Sequence, residues 1–388
     1  MSALRIVLIT RRYWPLVGSA ESFMMHFADG LRAQGHQVQI LTAQWENHWP
    51  DQVMLREVPI TRLPHPAVPG WRTFRYLRSL ARWLRTNAEH FDLVYVAGLR
   101  YDAYAAIGAL QGLRPVVLRA EGCGESGDCE WHRQARFGNR IRHRCMNADG
   151  IVTPSVAVRD ELAEARFATN LIQVIRPGVV RPSAMGEGLQ QRVLARQAIA
   201  EINADLLVNT DVPVAVSICR FQHSQGLCQL LYAWQRVVRR FPAAQLWVFG
   251  DGPDRDLLYE LVLDLELRNH VSLPGTFDVN HEILAAANLY ISPQTNEMDT
   301  LPLLEAMATG VPVVAMDTPS NQSVIRHEEH GVLVVPGAPE ALAAGIERQL
   351  QQTILAQYWA AAARERAQQE FTLEQSLQAH LEIFDQVL

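Results

Sequence analysis

Two carboxylates eight residues apart, Glu297 and Glu305, stand in the stretch EMDTLPLLEAMATGVPVVA. Around them the sequence reads as loop, helix N-terminus, small-residue helix, a stop at Gly310 and a buried strand. A loop feeding a helix N-terminus offers backbone N–H groups and a positive dipole end, which suits phosphate. An ionised carboxylate only accepts hydrogen bonds, and it holds hydroxyl donors strongly. Phosphate donors beside hydroxyl acceptors describe a nucleotide-sugar site. A second loop of this kind follows the opening strand Arg5–Thr10, where Pro15, Gly18, Ser19 and Glu21 lead into a helix over Ala20–Gln34. Gly18 lets backbone approach a ligand closely, and that helix can aim its N-terminus at a diphosphate.

The elements that must position these residues alternate between strand and helix along the whole chain, the pattern of parallel α/β units. In the first half, strands are expected at Arg5–Thr10, Gln37–Leu41, Leu93–Val96, Val116–Arg119, Gly150–Thr153 and Ile172–Ile175. In the second half they are expected at Pro213–Ile218, Gln245–Phe249, His270–Leu273, Leu289–Ile291, Val311–Ala315 and Gly331–Val335. Two such series imply two Rossmann-like domains, placed at 1–182 and 183–372, with a helix over 373–388. In open α/β sheets ligands bind beyond the C-terminal strand ends. Two such sheets facing a cleft would let one hold a donor and the other an acceptor.

Composition narrows the classes. A chain of 388 residues with 48% apolar and 20% charged residues is globular and long enough for two cores. A net charge of −6 argues against nucleic acid as a partner. The five cysteines form no CxxC pair and read as free thiols of a cytoplasmic protein. No apolar run approaches the roughly 20 residues of a membrane span. Residues 71–88 carry five arginines on one arc (Arg72, Arg75, Arg78, Arg82 and Arg85) and no acid. Such a basic amphipathic helix suits peripheral contact with an anionic membrane, at its inner face. The favoured reading is a Rossmann helix with its apolar side on the sheet and its arginines in water.

From Arg5 to about Val335 the chain resembles the retaining GT-B glycosyltransferases of family 4, also called glycosyl transferases group 1. The resemblance rests on the E-x7-E pair, the Pro15–Glu21 loop, Gly35-His36, Arg220 with Gly226, QLWVFGDGP ending in Gly250 and Gly252, and HVSLPG ending in Gly275. It implies an α/β GT-B fold whose last helix crosses back to the first domain. It implies a metal-free hexosyl transfer from a nucleoside-diphosphate sugar, UDP- or GDP-linked, to a glycan, glycolipid or small-molecule acceptor. It assigns donor contacts to Gly18, Ser19, Arg220, Gln225, Gly250, Gly275, Glu297, Thr300, Leu301 and Glu305. Within that set Glu297 would meet the hexose, Glu305 the ribose hydroxyls, and the Thr300 and Leu301 N–H groups the phosphate.

Several positions depart from the family pattern. Ser19 replaces a Gly, and Glu121 replaces a His that faces the acceptor, in a Gly-rich acidic stretch read as a flexible loop over 121–128. A catalytic part is assigned to Glu121, which would orient an acceptor hydroxyl or steady positive charge at the anomeric carbon, beside Glu297 and Arg220. Gln225 stands where the family has a Lys that clamps the diphosphate, so activity is expected to be weakened, with His223 a nearby substitute for the charge. Arg176–Val180 replaces P-N-G-V-D. These departures keep a second reading open, a nucleotide-sugar-binding protein or partner subunit with little or no transferase activity.

Overall fold

Short runs of Val, Ile and Leu supply the strands, and the central ones are buried along most or all of their length, as parallel strands covered on both faces require. The computed structural model describes residues 3–16, 18–65, 71–180, 189–222, 225–277, 280–295 and 300–388. The chain divides into two compact units, one built from residues up to Leu16, Ala20–Gly178 and Leu373–Leu388, the other from Gly18, Ser19 and Val179–Thr372.

The first unit carries β1 (Arg5–Ile9), β2 (Gln37–Gln44), β3 (Gln52–Leu55) and β4 (Val58–Pro64). It continues with β5 (Leu93–Ala97), β6 (Val116–Arg119), β7 (Gly150–Thr153) and β8 (Ile172–Val174). Their order across the sheet is β3-β4-β2-β1-β5-β6-β7-β8. Its helices are α1 (Ser19–Ala33), α2 (Trp71–Thr86), α3 (Tyr101–Leu110), α4 (Asp128–Gln134), α5 (Gly138–Cys145) and α6 (Val156–Glu164). Strand β1 pairs in parallel with β2 on one side and β5 on the other, Val7 lying opposite Gln39 and Val94. The strand order therefore reverses at β1, and the loops after β1 and β5 flank the point where such sheets bind ligands.

The second unit opens with α7 (Leu189–Ile202). Its sheet contains β9 (Val214–Ile218), β10 (Gln245–Phe249), β11 (Val271–Gly275), β12 (Leu289–Ser292), β13 (Val313–Met316) and β14 (Val332–Val334). The order is β11-β10-β9-β12-β13-β14, with every pairing parallel. The connecting helices are α8 (Leu227–Arg240), α9 (Arg255–Asp264), α10 (Asn280–Ala286), α11 (Leu301–Thr309) and α12 (Pro319–Val324). Helices α13 (Pro339–Gln351) and α14 (Thr353–Glu370) follow, and α15 (Leu373–Val387) belongs to the first unit. Here the reversal falls between β9 and β12, so the loops after those two strands are the ones that flank it.

Every strand expected from the sequence is present, with ends moved by up to three residues, the largest change being the extension of β2 from Leu41 to Gln44. The hairpin β3–β4 is the addition. It is antiparallel, and its two-residue turn is Arg56-Glu57, with φ of 47° and 62°. Such turns are recognised in sequence by Asn-Gly or Asp-Gly, and neither residue here carries that signal. Helix α2 packs on α3 and β4. Tyr76, Leu80 and Leu84 are buried, while Arg75, Arg78, Arg82 and Arg85 are exposed together with Trp71 and Phe74.

Helix α15 is fixed by aromatic packing. His380 is fully enclosed with Phe27, Tyr95 and Phe384, and its ring lies 4.6 Å from that of Phe27. Its Nδ1 lies 2.7 Å from the Ser376 carbonyl, which can only accept, so Nδ1 carries the proton. Its Nε2 then accepts from the Tyr95 hydroxyl at 3.0 Å. Burial, with a further contribution from Arg119, pushes His380 down to about 4. The folded state thus excludes a proton that the unfolded chain takes up below its ordinary value of about 6.5. Stability contributed by neutral His380 is present above pH ~6.5 and is lost as pH falls towards 4, by up to about 3 kcal/mol. His380→Phe should flatten the fall in Tm between pH 7 and pH 5 measured by calorimetry, and an unchanged slope would contradict this role.

Candidate active site

In the second unit the loops at the strand C-termini are pinned to one another through backbone. Cys219 N donates to Phe249 O at 3.0 Å, Phe221 N to Asp251 O at 3.0 Å, and Gly250 N to Gly275 O at 2.9 Å. Gly250 has φ 149°, and a Cβ there would collide with the Cys219 carbonyl oxygen. Gly226, φ 70°, starts α8, and a Cβ on it would strike the carbonyl of Pro293, just past β12. The loops after β9, β10, β11 and β12 are thereby gathered at one sheet edge.

That edge carries most of the donor residues expected from the sequence. Arg220 is exposed immediately after β9, and Gln225 is buried immediately before Gly226. Gly250 directly follows β10 and Gly275 ends β11, the two bonded to each other. Thr300 occupies the N-cap position of α11, Leu301 begins the helix, and Pro302 sits in its first turn, where a missing N–H costs nothing. Glu305 lies one turn further, half-buried, and Gly310 ends the helix in a left-handed conformation as expected. Glu297 and His223 fall outside the described residues. A helix start, a guanidinium and a half-exposed carboxylate are the groups that hold phosphate and hydroxyl oxygens.

Ser19, which with Gly18 is grouped with the second unit, is the first residue of α1, whose remaining residues belong to the first. The Arg12 Nε donates to Glu21 Oε1 at 3.2 Å, which ties the loop after β1 to that helix. Arg11 lies with its Nη1 4.0 Å from Asp102 Oδ1, donates to Thr73 Oγ1 at 2.8 Å, and stands over the Tyr76 ring. Burial pushes the Asp102 carboxyl up to about 6, with Arg11 opposing the rise and Glu121 adding to it.

Residues 121–128 differ from the flexible loop expected of them. They form a short 3-10 turn over Gly124–Ser126 and run straight into α4, whose first residue, Asp128, is completely buried. A Gly-rich acidic string reads as solvated because sequence shows the charges and not the N–H groups that compensate them. Glu121 follows β6 with 36% of its side chain exposed, its Oε2 3.9 Å from Arg100 Nη2. Burial raises its pKa. Arg100 opposes that rise, Asp128 and Glu21 add to it, and Arg119 opposes it. Arg100 and Asp128 were not among the residues singled out from the sequence. For Arg100 a signal existed, since it stands just past the C-terminal end of β5 beside the reversal point.

Among the described residues no group of three or more His, Cys, Asp or Glu is disposed to hold a metal ion. No described helix is long and apolar enough to cross a membrane.

Comparison with known proteins gives a consistent result. The family description "Glycosyl transferases group 1" matches residues 198–366, and "Glycosyltransferase Family 4" matches residues 20–181. The lipopolysaccharide core biosynthesis glycosyltransferase LpsE of Rhizobium meliloti is 32% identical over 46% of this chain and 54% of its own length. The chain therefore aligns with about half of that relative. Sucrose-phosphate synthase from Thermosynechococcus elongatus superposes with a TM-score of 0.79 at 21% identity, covering 99% of both chains. Anabaena HepE, solved with UDP and glucose, superposes with a TM-score of 0.77 at 18% identity, over 98% of this chain and 99% of that one.

Proposed function

The chain belongs to the GT4-type glycosyltransferases of GT-B fold, and we propose that it moves a hexosyl unit from a UDP- or GDP-linked sugar to an acceptor with retention of anomeric configuration. The observation that carries this reading is the backbone-pinned edge of the second unit, where the loops after the strands gather around Gly226 and Gly250, with Arg220 on one of them and Glu305 in the first turns of α11. A structural relative, HepE, binds UDP and glucose. On this chain the nucleoside diphosphate would lie along the same edge. Arg220 would form a charge-assisted fork to the diphosphate. The positive end of α11 would face phosphate oxygens through the Thr300 and Leu301 N–H groups. Glu305 would accept the two ribose hydroxyls, and Glu297 would meet the hexose. Charge growing on the departing diphosphate is what these groups would stabilise most. No metal is given a part. Glu121 of the first unit would receive the acceptor hydroxyl.

Gln225 supports a second reading, in which the chain binds a nucleotide sugar with little or no transfer. A neutral amide, buried as Gln225 is, brings no charge to a leaving diphosphate. Release of free UDP from UDP-glucose, with and without candidate acceptors, separates the two readings.

If Glu305 holds the ribose diol, Glu305→Ala should weaken UDP binding by roughly 10- to 100-fold, the worth of hydrogen bonds to a charged group. Its half-exposed place on α11 means Tm should hardly move. Calorimetry showing the same UDP affinity would remove Glu305 from the site.

The same reading extends to a peripheral membrane contact through α2. Trp71 is 67% and Phe74 57% exposed beside Arg75 and Arg78, although the helix also packs its buried face on the unit. Aromatic rings and arginines on one outward surface suit an anionic bilayer. The protein should sediment with phosphatidylglycerol vesicles at low salt and be released at high salt, and Arg75→Glu with Arg78→Glu should abolish sedimentation. Absence of sedimentation at low salt would leave α2 as a packed surface helix.

A further inference from the structure

We infer that Asp128 is a positioning residue, one that fixes Arg100 and Glu121 against each other and sets the charge carried by Glu121. The inference rests on the reading of Glu121 as the group that meets the acceptor. Asp128 itself touches no outside surface, since its residue is 0% exposed at the first position of α4.

Its carboxylate joins two strand-end loops. Oδ1 accepts from Arg100 Nε at 3.0 Å and from the Leu99 N–H at 3.4 Å, both in the loop after β5. Oδ2 accepts from the Glu121 N–H at 2.9 Å, just after β6. One helical turn on, His132 Nε2 donates to the Leu99 carbonyl at 2.6 Å, so α4 grips Leu99 through both its peptide groups. The turn between Glu121 and Asp128 is tight as well. A Cβ on Gly127 would crowd the Cys123 backbone, and the Gly124 N–H is taken by Glu161 Oε2 at 2.8 Å.

Three N–H donors on one buried group require an acceptor with no N–H of its own. An asparagine of the same shape presents an NH2 to one of them and loses that bond. A buried carboxylate without compensation is costly, and here Arg100 compensates it. The same guanidinium reaches Glu121 at 3.9 Å. Arg100 is thus shared between two carboxylates, one enclosed and one open to solvent.

The charges facing Glu121 come from every element around it. Arg100 and Asp102 belong to the start of α3, Arg119 to β6, Glu21 to α1 and Asp128 to α4. Arg100 and Arg119 favour its ionised form, and the carboxylates disfavour it. Asp128 therefore acts on Glu121 twice, by placing its backbone and by holding its proton more tightly. A carboxyl kept nearer to neutrality can both accept from and donate to an acceptor hydroxyl.

The test is a carboxyl titration of the full chain by 13C NMR, with the Glu121 signal assigned through Glu121→Gln. In Asp128→Asn the Glu121 midpoint should fall, and in Arg100→Gln it should rise, each by about one unit for a unit charge at this range. UDP affinity should be unchanged in both variants. A purely structural part for Asp128 would lower Tm without moving the two midpoints in opposite directions, and that result overturns the inference. Should Asp128→Asn not fold, the Arg100→Gln midpoint decides alone, a rise supporting the shared guanidinium and no change refuting it. Failure of the wild-type chain to bind UDP would count against the donor assignment and leave the Glu121 titration standing.

Discussion

Close approach of backbone to backbone at the strand ends of the second unit is the constraint on which the site depends. At Gly226 and Gly250 the chain passes so near a neighbouring carbonyl that no Cβ fits, and both residues have positive φ. Glycine alone adopts such conformations without strain. The consequence is geometric. Loops that leave adjacent strands would otherwise spread to make room for their side chains, and here they are bonded to one another peptide to peptide. Arg220 lies between two of those bonded residues, Cys219 and Phe221. A parallel sheet delivers all its strand ends to one edge, and the glycines turn that edge from a row of separate loops into one surface.

The first unit solves a different problem with charge. Its strand-end edge brings Arg11, Arg12 and Arg100 together with Glu21, Asp102, Glu121 and Asp128, several of them largely enclosed. Buried charges persist only when partnered, and here each partner sits on a different connection. Arg12 with Glu21 ties the loop after β1 to α1, Arg11 beside Asp102 spans from β1 to α3, and Arg100 with Asp128 joins α3 to α4. Burial raises the carboxyls of Asp102 and Glu121, with neighbouring carboxylates adding to the rise and the arginines opposing it. Perturbed titration at a strand-end edge is also what a group with work to do displays, so the same arrangement serves cohesion and chemistry.

Much of this was legible in the sequence, and the parts that were not share a cause. Alternating strand and helix patterns located every strand of the second sheet, because a buried parallel strand must be an unbroken apolar run. The edge hairpin β3–β4 escaped because Arg56-Glu57 makes its turn without glycine or asparagine. Gly226, Gly250 and Glu305 were found through short motifs shared with the family they resemble, and the structure sets them along one edge. Asp128 was missed because its meaning is non-local. Nothing in EGCGESGD distinguishes a solvated acid from one that accepts N–H groups 28 and 29 residues away. Gln225 was visible as a departure, but its burial was not.

The central claim is that the second unit holds a nucleoside-diphosphate sugar, and a thermal-shift series tests it most directly. UDP-, GDP- and ADP-sugars should be compared at saturating concentration with ATP and NAD as controls. A ligand at 100 times its Kd adds about 2.7 kcal/mol to stability, so a UDP- or GDP-sugar should raise Tm by several degrees while the controls do not. A flat response across all three nucleotide sugars, or an equal response to ATP and NAD, would contradict the assignment.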